Sequence, residues 1–176
     1  MSRKNVSFGL LLVMLLQAGV LGGEYLTAAY PLWTGREIKL KTLPVDPRSL
    51  FRGNYARLSY GISSIPSSAY SESRLLRNGE IVFVRLKSNP EGLYDFAGIS
   101  LSRPESGIFL RGRVTGRRYS TQSEIKIRYG IEAWFAPKEK ALQMQRDLRS
   151  GGIAVVMVAK GGSAVLKGIA GAASAD

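Results

Sequence analysis

The chain has 176 residues, 45% hydrophobic and 9% aromatic, a composition that fits one folded domain and argues against disorder. It contains no cysteine and no histidine. Disulfides and thiolate chemistry are therefore excluded, and zinc, copper and haem sites lose their commonest ligand, so neither metal nor cofactor is expected. The net charge is +12; residues 36–176 hold 23 of the 25 Lys and Arg and 12 of the 13 acids, so they carry +11 of it. Such a surface suits anionic partners such as lipid headgroups or a polymer, or else serves only as a solvated face.

The first element is an apolar helix. No charged residue stands between Asn5 and Gly23, and Phe8, Leu10, Leu11, Leu12, Val13, Met14, Leu15 and Leu16 form its centre. Nineteen residues at about 1.5 Å each give roughly 28 Å, close to the hydrocarbon thickness of a bilayer. Tyr25, Tyr30 and Trp33 suit an interfacial aromatic belt. A cleaved signal peptide would need a small-residue site, and Thr27-Ala28-Ala29 and Ala18-Gly19-Val20 are both poor ones. Residues 1–30 thus read as a single transmembrane anchor and residues 31–35 as a linker. Gly19, Gly22 and Gly23 permit close approach of a neighbouring helix. Arg3 and Lys4 favour a cytoplasmic N-terminus; Arg36, Lys39 and Lys41 oppose it, but long domains translocate largely regardless of charge. The expected location is the bacterial inner membrane, single-pass, with the domain on the periplasmic side.

From residue 36 to 170 the pattern has period two, which predicts a mainly β, β-rich α+β domain with antiparallel sheets and one short helix. Ile38 and Leu40 alternate with Glu37, Lys39 and Lys41; Ala56, Leu58, Tyr60 and Ile62 alternate with Tyr55, Arg57 and Ser59. Glu80–Leu86 predicts a more buried strand, and residues 93–101 a weaker one around Phe96, Ile99 and Leu101. Leu110, Gly112 and Val114 share one face of the next run, with Arg111 and Arg113 opposite. Ile125, Ile127, Tyr129 and Ile131 repeat the pattern with Lys126 and Arg128 opposite, so the two runs predict a hairpin. Pro137 and Lys138–Arg149 predict the helix. Gly152–Ala159 and Ala164–Ile169 predict a second hairpin through Lys160-Gly161-Gly162-Ser163, and 171–176 a disordered tail.

Residues 43–60, LPVDPRSLFRGNYARLSY, predict a structured turn feeding a strand. Pro44 and Pro47 fix two backbone angles, the Asp46 carboxylate suits the start of a type I turn, and Arg48 and Arg52 are placed to pair with it. Tyr55 and Tyr60 fall on opposite faces of a regular strand, so at least one is core; Tyr55 and Arg57 would join Asp46, Arg48 and Arg52 in a recognition patch.

Gly53, Asn54, Tyr55, Ala56, Arg57, Leu58, Ser59 and Tyr60 resemble the motif of the bacterial GDYXXLXY family. The flanks Val45-Asp46-Pro47-Arg48, Leu50-Phe51-Arg52, Tyr129–Phe135 before Pro137, and Ala164–Gly168 resemble it too. Asn54 replaces the family's Asp, which keeps a turn-forming side chain but removes the charge, so the position reads as structural. The resemblance implies a membrane-anchored bacterial protein with multi-pass membrane proteins for neighbours.

Catalytic arrangements are weak. The acids Asp46, Glu80, Glu91, Asp95, Glu105, Glu124, Glu132 and Glu139 are scattered; Glu132, in an aromatic run, is the candidate inward acid, and otherwise an ion-pair partner for a neighbouring Arg. A Ser–Lys pair is the other route open without histidine. Arg111, Arg113, Lys126 and Arg128 predict one basic face without interleaved aromatics, so nucleic acid is not an expected partner. The function expected is that of a non-enzymatic accessory or scaffold protein whose domain contacts a partner membrane protein or envelope component. An envelope hydrolase and an anionic lipid or polymer binder are the alternatives.

Overall fold

The computed structural model of the chain describes residues 3–43, 55–71, 74–116, 124–135 and 151–171. It opens with helix α1 (Arg3–Thr34). Within it, Ser7–Thr34 is long and apolar enough to cross a membrane. Leu, Met and Val side chains cover every face of it, and those from Phe8 to Leu26 are exposed. That is the all-round apolar surface of a helix suited to lipid.

The expected linker 31–35 shrinks to Gly35. Pro31 lies inside the helix, and the Gly35 N–H donates to the Pro31 carbonyl at 2.9 Å, carrying the i to i+4 ladder past the proline. Ala29 and Pro31 are buried, and the helix end packs on the sheet below. A Cβ on Gly35 would stand 2.2 Å from the Pro31 oxygen and 3.1 Å from the Val158 nitrogen, so only glycine lets the chain pass here.

Among the described residues eleven strands follow: β1 (Arg36–Leu43), β2 (Tyr55–Arg57), β3 (Ser59–Tyr60), β4 (Ser64–Pro66), β5 (Ile81–Ser88), β6 (Tyr94–Ser100), β7 (Ile108–Thr115), β8 (Glu124–Arg128), β9 (Ala133–Phe135), β10 (Gly152–Val158) and β11 (Ala164–Gly171). They form an antiparallel sheet in the order β11-β10-β1-β3, a second in the order β4-β8-β7-β5-β6, and a ribbon of β2 with β9. The fold is β-rich with two curled antiparallel sheets, as the period-two pattern predicts.

One buried cluster joins both sheets. Ile38, Leu40, Ala154 and Val156 come from the first; Val82, Val84, Leu110 and Ile127 from the second. The one buried polar side chain of the described core, Thr42, is satisfied twice: its Oγ1 donates to the Gly152 carbonyl (2.9 Å) and accepts the Gly152 N–H (2.8 Å).

Three expectations change or fall outside view. Residues 55–62 make two short strands and a 3-10 turn (Gly61–Ser63), because the segment changes partners: β2 pairs with β9, the Leu58 N–H donates to the Glu132 carbonyl at 2.8 Å, and β3 pairs with β1. Gly171, placed in the tail, ends β11, while 172–176 lie outside the described residues, as does the helix expected at Lys138–Arg149. The two hairpin pairings, β7 with β8 and β10 with β11, are present.

Candidate functional site

Of the motif region, Asp46, Arg48, Arg52, Gly53 and Asn54 lie outside the described residues. The motif's strand half is described, and it meets the second family-like stretch directly. Tyr55 pairs with Phe135, Ala56 with Trp134 and Arg57 with Ala133. Sequence separation hid this contact, although both stretches carried the resemblance.

A reciprocal pair of tyrosines locks the junction. The Tyr60 hydroxyl donates to the Ile131 carbonyl at 2.7 Å, and the Tyr129 hydroxyl donates to the Ile62 carbonyl at 2.6 Å. Each ring thus fastens the segment that carries the other. Tyr60 is only 1% exposed and Tyr129 7%. Of the two motif tyrosines, Tyr60 is thus a core residue and no part of an exposed recognition patch: alternation turns it inward with Leu58, and its hydroxyl satisfies a carbonyl at a chain bend. Arg57 stays exposed, as expected.

Glu132, the candidate inward acid, forms no salt bridge among the described residues. Its two oxygens accept the Tyr129 N–H (2.5 Å) and the Gly130 N–H (2.9 Å), closing the turn that presents Tyr129. Burial pushes the pKa of both tyrosine hydroxyls well above the ordinary value of 10.0, and the Glu132 charge adds to it. Both stay protonated donors.

Other acids are also engaged structurally. Glu80 takes a hydrogen bond from the Arg77 N–H and a salt bridge from Arg74 at 2.6 Å, which together hold its carboxyl below the usual range. Glu124 accepts from Ser64, and Asp95 from Asn89. Glu37 pairs with Lys167 at 2.7 Å. Among the described residues, no three His, Cys, Asp or Glu gather closely enough to hold a metal ion. A groove of about 250 Å³ runs between β1 and β6, lined by Leu40, Lys41, Gly61, Ile62, Tyr94, Asp95 and Phe96.

The predicted basic face is real in placement and uneven in spacing. Arg113 stands directly opposite Arg128 across β7 and β8, Lys126 lies one pleat on, opposite Thr115, and Arg111 one pleat back. All four are exposed. Two like charges at one cross-strand position repel. Arg113 offsets part of this by donating to the Gly79 carbonyl at 3.1 Å. Arg85, exposed on β5, shares that outer face and was missed. The alternation through Val82, Val84 and Leu86 would have placed it there.

On α1, a Cβ on Gly19, Gly22 or Gly23 would meet nothing within 4 Å. Gly19 and Gly23 are one turn apart on an exposed helix, so these glycines leave the backbone open to a neighbour.

A family model described as "GDYXXLXY protein" matches residues 17–169, from within α1 to within β11. No curated protein and no solved structure matches the chain.

Proposed function

This chain belongs to the GDYXXLXY family, and on that premise we propose that it is a single-pass protein of the bacterial inner membrane with its β-rich domain on the periplasmic side. It acts as a non-enzymatic accessory or scaffold subunit for a partner membrane protein. The observation that carries the reading is the form of α1. Its apolar surface is exposed along its length, three glycines bare its backbone, and its end is packed into the domain through Ala29, Pro31 and Gly35. A passive tether needs neither bared backbone nor a rigid joint. A subunit that must hold its domain in one orientation beside a neighbour needs both. The described acids support the same reading, since Glu80, Glu124, Glu132 and Glu37 are committed to turns, strands and ion pairs.

Purification of the full chain from native membranes in mild detergent tests this. The expected result is a stoichiometric co-purifying membrane protein, lost when Gly19 and Gly23 are both replaced by leucine. A bare monomer from the wild-type chain would contradict it.

A further inference from the structure

The helix leaves the domain through a ring of cations. Arg36, the first residue of β1, pairs with Val158, the last of β10, so the turn from Ala159 to Ser163 lies at the helix exit. That turn is docked from the other sheet. Arg103 Nη2 donates to the Lys160 carbonyl at 2.9 Å, and the Arg111 N–H donates to the Gly162 carbonyl at 2.8 Å. Gly162, at φ +80°, lies flat against Phe109; a Cβ there would stand 2.8 Å from the ring. The Arg103 guanidinium covers the same ring at 5.9 Å. These contacts gather Arg36, Arg103, Arg111 and Lys160 around the exit, all exposed. The acids at this end are Glu24 on the helix, Glu37, neutralised by Lys167, and Glu105 in the β6–β7 connection. Among the described residues none of the four cations forms a salt bridge.

The helix sets the height of this ring. From Lys4 to Trp33 it measures about 44 Å, the thickness of a bilayer with both headgroup layers. With Lys4 in one headgroup layer, the exposed indole of Trp33 (64%) lies in the other, and Arg36 follows three residues later. Because only Gly35 separates helix from strand, the domain has no slack with which to lift the ring away.

We infer that Arg36, Arg103, Arg111 and Lys160 form a collar that binds the anionic headgroups of the leaflet from which the helix emerges, laying the domain against the membrane. The inference rests on the membrane anchor but not on any partner protein. Lipid is the occupant because the helix delivers the collar to it; a soluble polyanion would need no such placement.

The absence of cysteine allows a single label. Gly161 is exposed at the turn's tip, with open space around it, so G161C in the full chain carries a fluorophore there. The chain is reconstituted into zwitterionic vesicles and into vesicles with added phosphatidylglycerol, each with a headgroup-borne quencher. Quenching several-fold stronger in the anionic vesicles is expected at about 0.01 M salt, and its loss at about 1 M. Replacing Arg36, Arg111 and Lys160 by glutamine should abolish the difference while leaving the Arg103 bond to the Lys160 carbonyl in place. Equal quenching in both vesicles, or indifference to these substitutions, overturns the collar. So does a soluble polyphosphate that protects the label in zwitterionic vesicles as well as anionic lipid does. Release of the chain by an alkaline wash overturns the anchor itself; retention without differential quenching overturns the collar alone.

Discussion

The two sheets share one core and differ on their outer faces. The first, built on β1, β10 and β11, receives the helix, and its central strand β10 is aliphatic on both faces: Ala154, Val156 and Val158 are buried, with Ile153, Val155 and Met157 half-buried behind them. The second, built on β5, β7 and β8, carries Arg85, Arg111, Arg113, Lys126 and Arg128 in the open, with Arg113 facing Arg128. The difference separates two demands. One sheet is built to be held, and its residues resemble a buried strand layer. The other keeps a charge distribution that costs stability, so its stability alone does not account for those residues.

The largest effect is expected in the shared core. Leu110→Ala removes a fully buried side chain from β7 and should cost about 2–5 kcal/mol in chemical unfolding, through lost transfer energy and the cavity left. An effect below 1 kcal/mol would mean that the sheets do not share their interior. Gly35→Ala comes next: its Cβ cannot coexist with the Pro31 oxygen, so the joint must open, at about 1–3 kcal/mol, and protease should newly cut between helix and domain.

The tyrosine lock gives a pH-dependent effect. Tyr129→Phe leaves the Ile62 carbonyl without its donor and should cost about 1–3 kcal/mol. Both hydroxyls have a pKa raised above 10.0 in the folded state. The stability this contributes is complete below pH 10.0 and is lost as pH rises through the raised folded values, because the unfolded tyrosines ionise first. The melting temperature should therefore fall above about pH 10, less steeply in the phenylalanine variant; an equal slope in both would remove Tyr129 from the linkage.

The smallest effect sharpens the contrast between the outer faces. Arg128→Glu turns the Arg113–Arg128 repulsion into attraction and should stabilise the domain by about 0.2–1 kcal/mol. A destabilised variant would show that the basic face serves the fold.

Much of this was legible in the sequence because alternation reports which side chains are buried. Ile38 and Leu40, Val82 and Val84, and Ile127 and Tyr129 all turn inward where period two puts them. Partner choice was not legible. Alternation gives the face of Tyr60, but not that its hydroxyl reaches Ile131, 71 positions away, or that the chain passes from β2, paired with β9, to β3, paired with β1. The role of Glu132 was hidden for a related reason: a carboxylate that caps a turn three residues back has the same sequence signature as one awaiting a cation. The linker was misread because Pro31 suggests a break, whereas a proline near a helix end forfeits only its own N–H donation and the ladder goes on with the Gly35 N–H on the Pro31 carbonyl. The grouping of Arg36, Arg103, Arg111 and Lys160 at the helix exit could not be read, since they come from two strands and two connections far apart in the chain.

On the proposed function, α1 meets a protein partner within the membrane. A photo-reactive residue at Leu21, beside Gly19, Gly22 and Gly23 and exposed at 67%, tests it most directly in intact cells. One discrete crosslinked species containing a second membrane protein is expected, abolished by leucine at Gly19 and Gly23. Crosslinks to lipid alone, unchanged by those substitutions, would contradict it.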